Sequence, residues 1–155
     1  METQNENTQS LVAEIKLSYS MKVKPSQLPQ IKTSRDAYQI LLHSWDNDKI
    51  EFVEQFKVMI MNRAQKVLGI CEISQGGSSG TVADPKIIFA LALKANASGI
   101  IVSHNHPSGN LRPSQADIDL TKKLKEGGKF LELQLLDHVI VTTEGYYSFA
   151  DEGLV

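Results

Sequence analysis

Apolar and polar residues alternate along the N-terminal part of the chain. Leu, Ala, Ile, Leu and Tyr occupy positions 11, 13, 15, 17 and 19, with mostly polar residues between them. This period of two is typical of a half-buried strand. We therefore interpret residues 10–32 as a strand followed by a proline-containing connector. The polar residues 1–9 predict a disordered tail.

The next segment has helical spacing and is followed by a hairpin pattern. From Thr33 or Ser34 to Trp45, apolar residues recur at helical intervals, so we expect a helix there. Segment 54–61 has Phe56, Val58 and Ile60 on one face, and segment 66–73 returns after a short turn. This arrangement predicts two antiparallel strands.

In the C-terminal half, predicted strands alternate with predicted helices. Asp84-Pro85 begins a helix that is apolar on nearly every side, so we expect this helix to be buried. A buried strand is expected at residues 100–103, and a second helix is expected from Ser114 to Glu126, stopped by Gly127-Gly128. Two more strands are expected at residues 131–136 and 139–143. This alternation predicts an α/β fold with a mixed sheet covered by helices on both faces.

Length and composition are those of one ordinary globular domain, which we assign to residues 10–155. The chain has 155 residues, of which 41% are hydrophobic and 22% are charged. Its formal net charge of -2 lacks the basic surplus of a dedicated DNA-binding domain, so strong nucleic-acid binding is not expected. The first residues contain no secretory signal, and no apolar run is long enough to span a bilayer. We therefore expect a cytoplasmic protein without a membrane partner.

The candidate chemistry lies in residues 103–117. His104 and His106 follow a buried strand at positions i and i+2, and alternate side chains of an extended chain point the same way. Pro107 favours the extended conformation for His106, so both imidazoles can converge on one point. Neutral imidazole is a good zinc ligand, although His-x-His alone is a weak motif.

Asp117 is the candidate third ligand. We expect Ser114 to cap a helix on which Asp117, Leu120 and Leu124 share one stripe, whereas Asp119 lies on the other side. A carboxylate on an inward stripe is costly unless a cation meets it, and a metal ion would be that cation. Two histidines and one aspartate would leave a fourth position for water, as in a hydrolytic zinc site. Alternatively, the serine and the aspartate form a capping box that needs no metal.

This combination resembles the signature of the JAMM/MPN metalloproteases, in which His-x-His is followed after seven residues by Ser-x-x-Asp. The matching residues are His104, His106, Ser114 and Asp117. The segments HisAsnHisProSerGly at 104–109 and LeuLeuAspHisValIleVal at 135–141 are similar to the RadC-like branch of that family, and the resemblance covers about residues 34–155. Full-length RadC proteins also carry an upstream helix-hairpin-helix region. This chain is too short to include that region, so we expect the DNA-repair role of the family to transfer poorly.

The resemblance implies a fold, a metal and a reaction. The fold would be a cytidine-deaminase-like three-layer sandwich, with a mixed β-sheet and helices on both faces. One Zn²⁺ ion would be held by His104, His106 and Asp117. The reaction would be hydrolysis of a peptide or isopeptide bond, so the partner would be a peptide or an isopeptide-linked protein of unknown identity.

The resemblance also implies a catalytic glutamate near the start of an upstream strand. Glu54 fits because it shares a strand face with Phe56, whereas Glu51 has the opposite parity and Glu72 lies in the return strand. Glu54 would act as general base and then as general acid. Ser114 would donate a hydrogen bond to the oxyanion or position the water.

Other functions are possible on the same residues. A metal-dependent nuclease or phosphoesterase linked to DNA repair is one alternative, because HisAsnHis superficially resembles the HNH nucleases. A non-catalytic MPN interaction module is another. Asp137-His138 suggests a Ser-His-Asp triad, but adjacent residues of a strand point to opposite faces. We therefore expect a structural role for His138.

Overall fold

The structure, a computed structural model, describes residues 11–77 and 80–155. In chain order, its elements are a 3₁₀ turn at Pro25–Gln27, helix α1 at Ser34–Ser44, strand β1 at Gln55–Met61, strand β2 at Val67–Gln75, helix α2 at Pro85–Lys94, strand β3 at Gly99–Asn105, helix α3 at Gln115–Phe130, strand β4 at Gln134–Val141 and strand β5 at Tyr146–Ser148. The expected α/β class is confirmed. The tail expected at residues 1–9 lies outside the described residues.

The five strands form one mixed sheet in the order β2-β1-β3-β4-β5. Strands β3 and β4 are parallel, and the other neighbouring pairs are antiparallel. Strand β3 therefore lies at the centre of the sheet, hydrogen-bonded along both edges, and all of its residues are buried. Its C-terminal end is a rigid place from which side chains can be positioned.

Helices cover both faces of the sheet, as the sequence predicts. On one face, Leu41 of α1 packs with Met59, Ile101 and Val139 of the strands. On the other face, α2 and α3 pack against strand residues of the opposite parity. This second core contains Val58, Ile60, Ile100, Val102 and Leu135 of the strands and Ile88, Ala92 and Leu124 of the helices. The alternation of side chains thus divides each inner strand between two cores.

Side-chain caps fix where the helices begin. Thr33 and Asp36 form a capping box at the start of α1. Asp84 caps α2, with proline in its first turn. Ser114 and Asp117 form a second capping box at the start of α3. Because these caps are local in sequence, the predicted helix starts agree with the structure.

The strand expected within residues 10–32 is not formed, because residues 11–24 contain no strand. Ile15 and Leu17 are 86% and 96% exposed. A strand needs a hydrogen-bonded neighbour as well as an alternating pattern. Within the described residues, the outer edge of β2 pairs only through an isolated bridge between Gln30 and Lys66. The prediction was wrong because the pattern alone supplies no partner strand.

Helix α2 is less buried than its sequence predicts. Ile88 and Ala92 are buried, but Ile87 and Leu93 are each 51% exposed. The helix lies against the sheet and buries one side only, so the expectation of a fully buried helix was wrong. Neither α2 nor any other helix in the described part of the chain is long and apolar enough to cross a membrane.

Helix α3 does not stop at Gly127-Gly128 but continues to Phe130. A Cβ atom on Gly128 would lie 2.2 Å from the Leu133 carbonyl oxygen. The Leu133 backbone N–H also donates to the Gly128 carbonyl at 2.9 Å. Gly128 therefore permits a close approach of the chain as it turns from α3 towards β4, and it does not end the helix.

Strand β4 is continuous where two strands were expected. The expected gap contains Asp137 and His138, and both side chains are buried. The Asp137 carboxylate accepts hydrogen bonds from Ser148 Oγ at 2.6 Å and from the Ala150 backbone N–H at 2.9 Å. Because these polar groups are satisfied inside the fold, the strand passes through them without a break.

Candidate metal centre

The three predicted ligand side chains converge at the C-terminal end of β3. His104 belongs to β3, His106 directly follows this strand, and Asp117 lies in the first turn of α3. The two histidine Nε2 atoms are 2.9 Å apart. Asp117 Oδ2 is 3.4 Å from His104 Nε2 and 3.9 Å from His106 Nε2. In the described part of the chain, no other group of three His, Cys, Asp or Glu side chains is close enough to hold a metal ion.

The central position of β3 fixes His104. Its backbone pairs with Phe56 of β1 on one side and with Ile140 of β4 on the other. Its ring is buried and stacks on the Phe56 ring, with a centroid distance of 6.2 Å. Its Nδ1 atom lies 2.8 Å from His138 Nε2. The remaining ring nitrogen, Nε2, faces the other two members of the cluster.

A tight turn holds His106. The His106 backbone N–H donates to the Val141 carbonyl at 3.2 Å, and the Gly109 N–H donates to the His106 carbonyl at 3.0 Å. Gly109 has a φ of +81°, which glycine adopts without strain. Nδ1 of His106 donates to the Asn110 carbonyl oxygen, so in the neutral ring Nε2 carries a lone pair. Burial lowers the pKa of the His106 ring, and the neighbouring His104 lowers it further.

The Asp117 carboxylate takes part in both the helix cap and the cluster. Oδ2 accepts a hydrogen bond from the Ser114 backbone N–H at 2.8 Å. Burial alone would raise the pKa of this carboxyl, but its contact with His104 and its bonds with Ser114 outweigh burial and hold the pKa well below the usual range. The capping box and the ligand cluster therefore use the same side chain, and neither role excludes the other.

The sequence predicts a structural role for His138 but does not predict its contact with His104. His138 Nε2 lies 2.8 Å from His104 Nδ1, and His138 Nδ1 lies 2.7 Å from Thr121 Oγ1. Burial lowers the pKa of the His138 ring well below its usual value. Asp137 accepts its hydrogen bonds from Ser148 and from backbone N–H groups, so no Ser-His-Asp triad is formed. The signal available in the sequence was a histidine, next to Asp137, within a strand whose other inner residues are apolar.

Glu54 lies immediately before β1, on the side of the sheet that carries the cluster. Phe56 pairs with His104 across the antiparallel β1–β3 ladder. Because the two strands are antiparallel, the position two residues before Phe56 lies opposite the position two residues after His104. This register directs Glu54 towards His106. The residue is half-buried. The structure thus brings the predicted general base to the same end of β3 as the candidate ligands.

The electrostatic surroundings of Glu54 agree with this position. Burial raises the pKa of its carboxyl, and among the neighbouring groups His104 lowers this pKa while Asp117 raises it. The two other glutamates that were considered, Glu51 and Glu72, accept side-chain hydrogen bonds at 3.0 Å from residues outside the cluster. Glu54 is thus near enough to two of the candidate ligands, His104 and Asp117, for them to affect its pKa.

Ser114 is exposed at the start of α3. Its Oγ atom accepts a hydrogen bond from the Asp117 backbone N–H at 3.1 Å. A serine hydroxyl that accepts one bond still has its own proton to donate. The predicted role of Ser114 as a hydrogen-bond donor to a substrate is compatible with this geometry and stays a prediction.

Comparison with known proteins identifies the family. The model of the RadC-like JAB domain matches residues 31–154. The chain belongs to the RadC-like JAB family. This family, together with the His/His/Asp cluster, points to a metal-dependent hydrolase and to a bound metal ion.

The chain is also similar to several UPF0758 proteins. One, from Flavobacterium johnsoniae, is 40% identical over 146 residues, which are 94% of this chain and 62% of the relative. The proteins of Porphyromonas gingivalis and Thermotoga maritima are 43% identical over 103 and 100 residues, which are 66% and 64% of this chain and 45% of each relative. The chain thus spans between 45% and 62% of the length of these relatives.

The cluster of His104, His106 and Asp117 has the spacing and the ligand atoms that a metal ion needs. Two atoms bound to one zinc ion at about 2.0–2.1 Å can be at most about 4.2 Å apart. The separations of 2.9, 3.4 and 3.9 Å all satisfy this limit. Two imidazole nitrogens and a carboxylate oxygen are electron-rich, and bringing them together without a cation is unfavourable. A zinc-like ion therefore fits the residues present.

A cleft of about 230 Å³ adjoins the three candidate ligands at His106. It is lined by His106, by Ser108 of the turn that follows, and by Glu51, Thr143 and Glu144. A larger cavity of about 700 Å³ lies at the opposite end of β3 and contains none of the candidate site residues. Of the two, only the smaller cleft is lined by a candidate ligand.

Asn105 is a second residue whose role sequence reasoning missed. Its buried side chain donates to the carbonyls of Ile50 and Val53 at 2.7 and 2.8 Å, and accepts from the Gln55 backbone N–H at 2.7 Å. These bonds tie the ligand-bearing strand of the JAB domain to the segment that carries Glu54. The signal was the alternation within HisAsnHis, which points the middle side chain away from the two imidazoles.

Proposed function

We propose that this JAB domain is a zinc-dependent metallopeptidase or isopeptidase. The observation that carries the proposal is the convergence of His104, His106 and Asp117 at the end of β3. The β1–β3 register, extended by two residues towards Glu54, supports it. The cytidine-deaminase-like sandwich implied by the family resemblance is part of the proposal. It is supported by the mixed sheet with helices on both faces.

In this proposal, His104, His106 and Asp117 hold the ion, and the other residues handle protons and substrate. A bound zinc ion supplies Lewis acidity and lowers the pKa of water to about 7. The Glu54 carboxylate accepts a proton from the attacking water and passes it to the leaving amine. Burial raises the pKa of Glu54, which brings this carboxyl closer to the pKa of an effective base at neutral pH.

Ser114 stabilises the oxyanion of the substrate. Its Oγ atom accepts a hydrogen bond from the Asp117 N–H. The hydroxyl proton is then available for donation to the developing negative charge. The substrate is a peptide or an isopeptide-linked protein that lies in the cleft beside His106. No strong nucleic-acid binding is part of the proposal, since the chain has a formal net charge of -2.

Hydrolysis assays on zinc-loaded wild type, Glu54→Gln and Glu72→Gln test this function, because Glu72 is exposed and does not line the cleft. The substrates are linear peptides, isopeptide-linked peptides and single- and double-stranded DNA. We expect cleavage of an amide substrate by wild type and by Glu72→Gln, and a rate about 10²–10⁴-fold lower for Glu54→Gln, the usual contribution of an acid-base group. Metal content is measured on each variant, because Glu54→Gln must retain zinc.

Two outcomes would contradict the proposal. Cleavage of DNA without cleavage of any amide substrate would favour the nuclease alternative. Bound zinc without cleavage of any substrate by the wild type would favour a non-catalytic module.

A further inference from the structure

We propose that Thr121 and His138 are positioning residues that hold His104 in the tautomer needed for metal binding, with the proton on Nδ1 and the lone pair on Nε2. The inference rests on the metal site of the proposed function. It concerns a chain of hydrogen bonds that runs behind this site, from helix α3 through β4 to β3.

The donor-to-acceptor direction of this series of hydrogen bonds is set at Thr121. Thr121 Oγ1 is 2.7 Å from the backbone carbonyl oxygen of Asp117, one helical turn earlier. A carbonyl oxygen can only accept, so the Thr121 hydroxyl proton is donated to it. The same Oγ1 atom lies 2.7 Å from His138 Nδ1 and must therefore accept there. It follows that His138 carries a proton on Nδ1.

His138 transmits this direction to His104. Its ring has no exposed surface and stacks on Phe149 at a centroid distance of 4.4 Å. Within the described residues, no acidic side chain forms a hydrogen bond or salt bridge with it, and an unpaired buried cation is costly. The ring is therefore neutral, and its Nε2 atom accepts. His104 Nδ1, 2.8 Å away, is then the donor, which leaves the His104 Nε2 lone pair facing Asp117.

His106 reaches the same tautomer through a different contact. Its Nδ1 atom donates to the Asn110 carbonyl in the turn after β3. Both Nε2 lone pairs then face each other at 2.9 Å. Only the tautomer of His104 depends on a side chain of α3. This helix thus supplies both the Asp117 carboxylate and, through Thr121, the orientation of a second ligand.

Replacing Thr121 by valine removes the acceptor while keeping the shape of the side chain. His138 Nδ1–H would then be buried without a partner, so its proton is favoured on Nε2 instead. That proton would be donated to His104 Nδ1 and would move the His104 proton to Nε2, where it blocks the ligand atom. Loss of such an orienting partner typically weakens metal binding by about 10–100-fold. Thr121→Ser keeps the hydroxyl and is the matched control.

The test has a readout that does not require metal or activity. Long-range ¹H–¹⁵N correlation spectra of the metal-free, ¹⁵N-histidine-labelled protein assign the tautomer of each ring at a pH where the rings are neutral. Zinc affinity is then measured by competition with a chelator. We expect His104 Nδ1–H in wild type and Thr121→Ser, and His104 Nε2–H with about 10–100-fold weaker zinc binding in Thr121→Val. Thr121→Ala, which also lacks the hydroxyl, repeats the measurement should the valine variant fold poorly.

The outcomes separate this inference from the proposed function. A tautomer that follows the Thr121 hydroxyl supports the inference even if the wild-type protein shows no zinc binding, a result that would count against the proposed function alone. His104 Nε2–H in the wild type, or His104 Nδ1–H in both the valine and the alanine variants, would overturn the inference whatever the protein hydrolyses.

Discussion

The side chain of Asp117 combines two roles in one oxygen atom. Oδ2 accepts the Ser114 backbone N–H and also lies within 3.9 Å of both histidine Nε2 atoms. The cap orients the carboxylate before any ion is bound, which reduces the entropy lost when the site forms. The Asp117 side chain therefore stabilises the start of α3 and is also positioned to complete a metal site.

Replacing Asp117 by asparagine is expected to abolish metal retention, since the charge is lost while an oxygen stays available to the cap. Asp119→Asn is the matched control. Asp119 is exposed and accepts a hydrogen bond from Gln115 Nε2 at 2.9 Å. We expect about one zinc ion per chain in wild type and in Asp119→Asn, measured by elemental mass spectrometry after gel filtration. Equal loss of zinc in both variants would show that the ligand assignment on α3 is wrong.

At the scale of elements, the junction between α3 and β4 is constrained by one glycine. A Cβ on Gly128 would meet a backbone oxygen at 2.2 Å, whereas a Cβ on Gly127 would meet only the Phe89 ring at 2.9 Å. The ring can move and the backbone cannot. The two neighbouring glycines therefore differ in what they tolerate.

Gly128→Ala is expected to lower the free energy of unfolding by about 1–3 kcal/mol, as overpacking does. Gly127→Ala is expected to be nearly neutral, because a helix gains about 0.5–1 kcal/mol from alanine and this gain offsets the movement of Phe89. Urea unfolding of both variants measures the difference. Similar free energies for the two variants would contradict this account of the junction.

The elements that could be predicted from the sequence are those with local signals. Capping residues such as Thr33 and Ser114 mark helix starts. Two strand-like segments separated by a short turn mark the β1–β2 hairpin. Features that depend on a distant partner could not be predicted. Residues 11–19 have a strand pattern without a partner strand, and Gly128 reflects a contact with the chain beyond its helix.

The same distinction holds for the site. His104, His106 and Asp117 were found because their spacing within residues 103–117 is itself informative. His138 lies 34 positions from His104 in the chain, and only the pairing of β3 with β4 brings it within hydrogen-bond distance. Asn105 was overlooked because its partners Ile50, Val53 and Gln55 lie 50 to 55 residues away in the chain.

At the scale of the whole molecule, the buried histidines make stability depend on pH. Burial lowers the pKa of His106 and His138 below the usual value of 6.5, so below that pH the unfolded chain binds protons that the folded chain does not. Their contribution to stability is therefore complete above pH 6.5 and is lost as the pH falls. Burial raises the pKa of Glu54 and Asp137, so these two carboxyls change stability with pH in the opposite direction. Their usual pKa values, 4.5 and 3.8, are lower than that of histidine.

We therefore expect the metal-free protein to unfold at a lower urea concentration at about pH 6.0 than at about pH 7.5. Chelator-treated protein is used, so that loss of zinc does not contribute to the change. A midpoint that is unchanged or higher at the lower pH would contradict the inference that both histidines are neutral in the fold.

The central claim is that His104, His106 and Asp117 bind one metal ion, and a crystal structure with anomalous data on both sides of the zinc absorption edge tests it most directly. We predict one edge-dependent peak with Nε2 of both histidines and an Asp117 oxygen each within about 2.0–2.2 Å. Glu54 should lie near this peak without binding the ion. A zinc peak on other residues, or zinc-soaked crystals in which these three side chains bind no ion, would contradict the account.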